Sequence, residues 1–179
     1  MRRSSVTMSI SLAALALLAG ACASSGVSDR SAASQAGSLV AFRSIAQGDP
    51  PRADSPRPVV YVALKAYDLG ALEDFLFPAD RERVATTDLS ASALIAVFGA
   101  SVGSSGRAIT VQRISIAGGE LRIVAESTGP APTEYALSVF TTPYQVIEVG
   151  RSEVVRPGVS SWVLLDPAGH VLARGSIGG

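Results

Sequence analysis

One stretch of the sequence decides the fold: Ile109-Thr-Val-Gln-Arg-Ile-Ser-Ile-Ala-Gly-Gly-Glu-Leu-Arg-Ile-Val-Ala-Glu126. In its second half, Leu121, Ile123 and Ala125 fall on every second residue, which is the period of a strand with one buried face. Gly118-Gly119 separates the two halves and is a common hairpin turn pair. The stretch therefore predicts an antiparallel β-hairpin.

The first half of the stretch carries an irregularity. Its apolar residues alternate in two phases, first Ile109 and Val111, then Ile114 and Ile116. A change of phase moves the side chains to the other face of a strand unless one extra residue is inserted. We therefore expect a β-bulge near Gln112-Arg113.

Further apolar runs of strand length lie on both sides of the hairpin, between clusters of Gly, Pro, Ser and Asp. They predict strands over residues 39–45, 59–65, 93–98, 135–140, 144–149, 161–165 and 170–174. Many short strands separated by turn signals are typical of sandwiches and barrels. The fold class expected is mainly β, an antiparallel β-sandwich or open barrel with one packed α-helix.

That helix is predicted over about residues 68–77. Apolar residues recur there at helical spacing, Asp68 is a candidate N-cap, and Pro78 is expected to end the helix. The charged residues that follow, Asp80 to Arg83, predict a solvated loop. Together with Asp88 they could suggest calcium, but the spacing and glycine of an EF-hand loop are missing. No metal and no cofactor is expected.

The N-terminus has the design of an export signal. Arg2 and Arg3 precede a short apolar run, Met8 to Leu18, which is too short to span a bilayer. The run ends in Ala19-Gly-Ala-Cys22, which resembles the bacterial lipobox, and Cys22 is the only cysteine of the chain. Residues 1–21 are therefore predicted to be a lipoprotein signal peptide, with acylation of Cys22. The alternative is cleavage by ordinary signal peptidase.

Lipidation would place the protein in the cell envelope. Ala23 follows the cysteine in place of the Asp that usually retains lipoproteins at the inner membrane, so the outer membrane is expected. Residues 22–38 are small and polar and predict a flexible tether. Residues 39–179 are then predicted to form a single β-rich domain.

Composition excludes several function classes. Charged residues make up 17% of the chain, and 15 basic residues balance 15 acidic ones, which argues against a nucleic-acid partner. One Cys and one His cannot build a zinc cluster or a disulfide framework.

A serine hydrolase is the enzymatic alternative. Gly99-Ala-Ser101-Val-Gly103 has the pattern of a nucleophile elbow, and Asp166 and His170 follow in hydrolase order. However, the serine is followed by glycine, serine and a strand pattern rather than a helix, and the Asp and His share one short turn. A non-enzymatic protein is therefore expected.

From about Leu94 to Arg151 the sequence resembles the C-terminal domain family of the protease-complex subunit PrcB. The resemblance is carried by the strand ending in Phe98-Gly99, by Gly119-Glu-Leu-Arg-Ile-Val-Ala-Glu126 and, most specifically, by Phe140-Thr-Thr-Pro-Tyr-Gln-Val-Ile-Glu-Val149. Where the family usually has Thr-Gly-Gly-Tyr, this chain has Ser104-Ser-Gly-Arg107. A shorter likeness is to the loop of chagasin-like cysteine-protease inhibitors.

The resemblance implies a non-enzymatic accessory domain that binds an envelope protein, for example a protease, and stabilises or assembles its complex. Inhibition of a protease by a chagasin-like loop is an alternative. Loops on a rigid sheet are natural contact points. The predicted binding patch consists of Ser104, Ser105, Gly106, Arg107, Thr142 and Tyr144. The alternative for Tyr144 is a place in the core.

Overall fold

The computed structural model describes residues 37–51, 55–131 and 133–178. The predicted signal peptide, Cys22 and nearly all of the predicted tether lie outside the described residues. Within them, no helix is long and apolar enough to cross a membrane. Ser38, the last residue of the predicted tether, already pairs with Ile116 in a sheet.

The described residues form nine strands in two sheets. The first sheet has the order β1 (Ser38–Leu39), β5 (Ala108–Ala117), β6 (Glu120–Thr128), β8 (Ser161–Leu165) and β9 (Val171–Ser176). The second has the order β2 (Phe42–Gly48), β7 (Tyr144–Gly150), β4 (Ser92–Phe98) and β3 (Val59–Ala63). All pairs are antiparallel except β6 and β8, which run parallel with Leu121 opposite Trp162.

The two sheets pack face to face, and the described strands do not close into a barrel. Buried apolar side chains from both sheets fill the space between them, among them Ile95, Ile147, Ile114, Leu121 and Leu164. The prediction of a mainly β fold is confirmed, and of its two forms the structure has the sandwich.

The predicted hairpin and its bulge are both present. β5 and β6 pair through the turn at Gly118 and Gly119, and Ala117 lies opposite Glu120. The register slips between Val111 and Arg113, which is the place where the hydrophobic phase changes. The bulge allows β5 to keep apolar side chains on the inner face along its whole length.

A buried glutamine links the two sheets next to this bulge. Gln145 on β7 accepts a hydrogen bond from the backbone N–H of Val111 at 2.6 Å and donates one to Ser44 Oγ at 3.0 Å. Gln47 on β2 donates to the carbonyl of Ile109. These side chains satisfy backbone groups of β5 that no neighbouring strand reaches.

The helix predicted over about 68–77 is present but begins and ends earlier, and the predictions that it is the single packed helix and that Pro78 ends it are wrong. The chain forms α1 (Ala66–Glu73), α2 (Pro78–Ala85) and the short α3 (Arg151–Val154). Pro78 begins α2, because the N–H of the first helical residue has no acceptor within the helix, so proline loses no hydrogen bond there and its fixed φ suits the position.

Two further helix predictions need correction. Residues 80–83 are part of α2, not a solvated loop, and Asp80 and Val84 face inward. Asp68 is not the N-cap of α1, which is Lys65. Asp68 lies in the first turn, and its carboxylate accepts hydrogen bonds from the N–H groups of Leu64 and Lys65, both at 2.8 Å.

α1 and α2 cover the outer face of the second sheet. Leu72, Leu76 and Val84 pack there against Phe98 and Tyr144. β3, β4 and β7 therefore have one face toward the first sheet and the other toward the helices. This arrangement buries Tyr144, as described below.

The strand predicted over residues 39–45 is divided. It forms β1, which joins the first sheet, and β2, which belongs to the second. Between them, Val40 still donates its N–H to Ile114 O at 3.0 Å.

The prediction of a strand over residues 135–140 is wrong, because this segment belongs to neither sheet. Its backbone pairs with a loop, as the next subsection describes.

Candidate protein-binding surface

Three loops meet beside β4, β5 and β7. They are the connection after β2, of which residues 49–51 and 55–58 are described, the loop 99–107, and the segment 129–143, of which all but residue 132 is described. Val102 and Thr141 exchange two backbone hydrogen bonds of 2.9 Å. Thr142 donates its N–H to Pro50 O at 3.2 Å, and Ser101 donates its N–H to Ser55 O at 2.8 Å. The loops thus form one hydrogen-bonded unit.

The predicted patch residues 104–107 lie within this unit and use their polar groups to hold it together. Ser105 donates its N–H to Leu137 O at 3.0 Å, and its Oγ accepts the N–H of Leu137 at 2.8 Å. Ser104 O accepts a hydrogen bond from Thr141 Oγ1 at 3.0 Å, and Arg107 donates its N–H to Asp49 Oδ2 at 3.1 Å. Gly106, between them, is exposed. The serine loop therefore acts as a support for the segment around Leu137.

Thr142 and Tyr144 do not belong to a surface patch. Tyr144 is fully buried and Thr142 is 4% exposed. The ring of Tyr144 lies 5.9 Å from that of Phe98 and 6.3 Å from that of Phe77, because this face of β7 is covered by the helices. The structure corrects the prediction for both residues and places Tyr144 in the core, which was the alternative.

The hydroxyl of Tyr144 is also fully used. It donates to Asp80 Oδ2 at 2.5 Å and accepts the N–H of Phe77 at 3.2 Å. Arg83 completes the group with a 3.1 Å hydrogen bond to Asp80 Oδ1. Burial, followed by the hydrogen bond to Asp80, raises the pKa of Tyr144 well above its usual value. This polar group joins α2 to the sheet and has a structural role.

Three large apolar side chains are exposed on the segment that the serine loop supports. Tyr135 is fully exposed, Leu137 is 70% exposed and Phe140 is 60% exposed. We call Tyr135, Leu137 and Phe140 the apolar loop surface. Large apolar groups that cluster on the outside of a folded domain commonly mark a protein contact. The sequence signal for them was present as the alternation in residues 135–140, but it was interpreted as a strand.

The residues of the hydrolase alternative have other partners. Ser101 Oγ lies 2.7 Å from Thr142 Oγ1 and accepts the N–H of Ser55 at 3.1 Å. His170 Nδ1 lies 2.8 Å from Asp166 Oδ2 on the turn between β8 and β9, and this contact lowers the pKa of Asp166. Among the described residues, Ser101 and His170 form no hydrogen bond with each other. The structure thus brings together Asp166 and His170 but not the nucleophile that they would serve.

No group of three metal-ligating side chains occurs in the described part of the chain. The polar groups that lie close together at the loops are serine and threonine hydroxyls, backbone amides and the carboxylate of Asp49. Such groups can hold a loop in shape or pair with another chain.

Comparison with known proteins gives a family match to part of the chain. Residues 95–150 match the family described as PrcB C-terminal, which is the family that the resemblance indicated. The match covers less than a third of the chain, from β4 to the end of β7, and includes both the loop 99–107 and the apolar loop surface. No curated protein and no solved structure gives a significant match to the chain.

Proposed function

We propose that this chain is a lipid-anchored accessory protein of the cell envelope, which binds a partner protein through the apolar loop surface and catalyses no reaction. The observation that carries the proposal is the exposure of Tyr135, Leu137 and Phe140 within one six-residue segment. Covering these side chains with a partner would remove apolar area from water, which is the main favourable term in protein association.

The support beneath this surface favours binding. Leu137 is held by two hydrogen bonds to Ser105, and Thr141 by two to Val102. A segment that is already positioned loses less conformational entropy when it binds. Aromatic side chains are also enriched among the residues that dominate binding energy.

The partner class follows from the family. The match to PrcB C-terminal includes the whole apolar loop surface, and the family is named for a subunit of a protease complex. We therefore propose that the partner is a protease or another protein of the envelope, and that binding stabilises or assembles its complex. Acylation at Cys22 would keep the domain at the outer membrane.

The anchor can be tested with Cys22→Ala. We expect the unchanged protein to carry labelled fatty acid and to fractionate with the outer membrane, and the variant to lose both properties, because Cys22 is the only thiol of the chain. A matched Ala23→Ser variant should behave like the unchanged protein. Equal membrane partitioning of the Cys22 variant would contradict the anchor.

The binding surface can be tested by photo-crosslinking in cells. With a photoreactive amino acid at the exposed Ala136, we expect one specific crosslinked protein, identified by mass spectrometry. Combining Tyr135→Ser, Leu137→Ser and Phe140→Ser should reduce the crosslink at least tenfold without lowering Tm, because these side chains are exposed. Leu39→Ser, at a residue that is 72% exposed elsewhere, is the control.

Two results would reject this surface. One is unspecific crosslinking by the protein with the unchanged surface, or crosslinking by the triple variant that is as strong as without the three substitutions. The other is inhibition of a purified cysteine protease by the unchanged protein that the triple variant retains, which would favour the chagasin-like alternative.

A further inference from the structure

β3 is an edge strand with unpaired backbone groups. Gly99 donates its N–H to Pro143 O at 2.8 Å, just beyond the paired ends of β4 and β7. Along a strand, the backbone N–H and C=O groups of successive residues point alternately to the two neighbouring strands. Since those of Gly99 point to the β7 side, the backbone groups of the even-numbered residues of β4 point to β3. Tyr61 lies opposite Ala96 and is therefore bonded to β4. The backbone groups of the neighbouring Val60 and Val62 point to the open edge, and no described residue bonds to them.

This edge lacks the usual protection against pairing. Proteins commonly block an exposed edge with a charged residue, a proline or a bulge in the strand. β3 reads Val-Val-Tyr-Val-Ala, without any of these, and its pairing with β4 is regular over all five residues.

A groove lies on each face of the edge. The larger one has a volume of about 730 Å³ and separates β3 from α1, with Tyr61 and Ala63 on the strand side. The smaller one, about 310 Å³, separates β3 from β9 and is lined by Val60, Val62 and Trp162. Side chains of a strand point alternately to its two faces. A peptide strand added to β3 would therefore place successive side chains in the two grooves.

α1 leaves room for such a peptide. Its residues along the larger groove include Ala66, Gly70 and Ala71, and a Cβ atom added at Gly70 would have no atom within 4 Å. Tyr67, which is 92% exposed, stands at the side of the same groove.

The charge of the larger groove indicates which peptide would fit. Asp68 and Glu73 line it, and no Lys or Arg is among its described lining residues, whereas Lys65 lines the smaller groove. An extended peptide with a basic side chain directed toward α1 would therefore be attracted, whereas an acidic peptide would be repelled.

We propose that the open edge of β3 binds an extended peptide segment of another protein by strand addition, with apolar or β-branched side chains toward β9 and a basic side chain toward α1. In such complexes the main-chain hydrogen bonds supply affinity and the grooves supply specificity. This site is separate from the apolar loop surface and does not depend on the function proposed for that surface.

The test selects peptides from a display library of fully randomised heptapeptides against the full-length protein in detergent micelles. We expect enriched peptides that are rich in valine, isoleucine, threonine and arginine or lysine and free of proline. Adding a selected peptide should slow hydrogen exchange at the N–H groups of Val60 and Val62 at least tenfold, because these groups then acquire partners, and should leave Tyr61 unchanged.

Gly70→Leu fills the larger groove and should weaken binding of the selected peptides at least tenfold. It is not expected to unfold the protein, since leucine favours a helix more than glycine does and the site is open. Ala79→Leu, at an exposed position of α2, is the matched control and should bind normally.

The proposal is overturned if no peptide family is enriched, or if Gly70→Leu binds as tightly as the control. It is also overturned if exchange at Val60 and Val62 is slow without peptide and depends on protein concentration. That result would show that the edge is occupied by a second copy of the chain.

Discussion

Replacing Tyr144 with alanine is expected to lower the free energy of unfolding by about 4 kcal/mol, as measured by urea denaturation. The ring is fully buried against Phe98 and Phe77, so its removal leaves a cavity beneath the helices. Tyr144→Phe keeps most of the packing but leaves Asp80 and the N–H of Phe77 without this partner, and should cost about 1–3 kcal/mol.

A loss below about 1 kcal/mol for Tyr144→Ala would contradict the buried position and would return Tyr144 to the candidate binding residues. Leu137→Ala is the matched control. Because Leu137 is 70% exposed, this substitution should change the free energy of unfolding by no more than about 0.5 kcal/mol.

The same hydroxyl predicts a loss of stability at alkaline pH. The pKa of Tyr144 is raised in the folded protein, so the folded state favours the neutral phenol. The contribution of this phenol to the free energy of unfolding is complete below the ordinary tyrosine pKa, near 10, and is lost as the pH rises above that value. We expect stability to fall more steeply between about pH 10 and 11 in the unchanged protein than in Tyr144→Phe. Parallel curves would contradict this assignment.

Replacing Gly119 with alanine is expected to cost about 3 kcal/mol, a large effect for a change of one methyl group at a turn. Gly119 has φ +78°, and a Cβ there would lie 2.3 Å from the backbone carbonyl oxygen of Gly158. The substitution must therefore push apart the hairpin and the segment leading to β8, where Ser160 donates its N–H to Gly119 O.

Gly118→Ala is the matched control for this clash. Gly118 also has a positive φ, +60°, but a Cβ there would meet no atom within 4 Å. Its cost should be that of the left-handed conformation alone, about 1–2 kcal/mol. If urea denaturation gives equal losses for the two variants, the contact with Gly158 is not what requires glycine at position 119.

The spacing of apolar residues along the sequence identified the strands that have one or both faces buried. The hairpin, its bulge and the strands β4 and β7 were predictable because their alternation reports directly which face avoids water. Residues 135–140 show the limit of this signal. Their alternation is as clear, but Leu137 pairs with Ser105 in a loop and the apolar side chains lie outside.

The second helix, α2, is hidden from sequence reasoning for a related reason. Asp80 to Arg83 are charged, and charge alone indicated a solvated loop. In the folded protein Asp80 is buried because Tyr144 and Arg83, which are 64 and 3 residues away in the chain, bond to its carboxylate. A polar residue can be buried when its partners are present, and a distant partner leaves no local pattern in the sequence.

The sequence by itself determined the mainly β class, the positions of most strands along the chain and the resemblance of residues 95–150 to the PrcB C-terminal family. These properties follow from local patterns of residues, because the period of a strand or helix sets which neighbouring residues share a face. Only the tertiary structure decided that Tyr144 and Thr142 are buried, that Tyr135, Leu137 and Phe140 are exposed and that β3 has an open edge. Those properties depend on which surface another element covers, and this is set by long-range packing of sheets and helices.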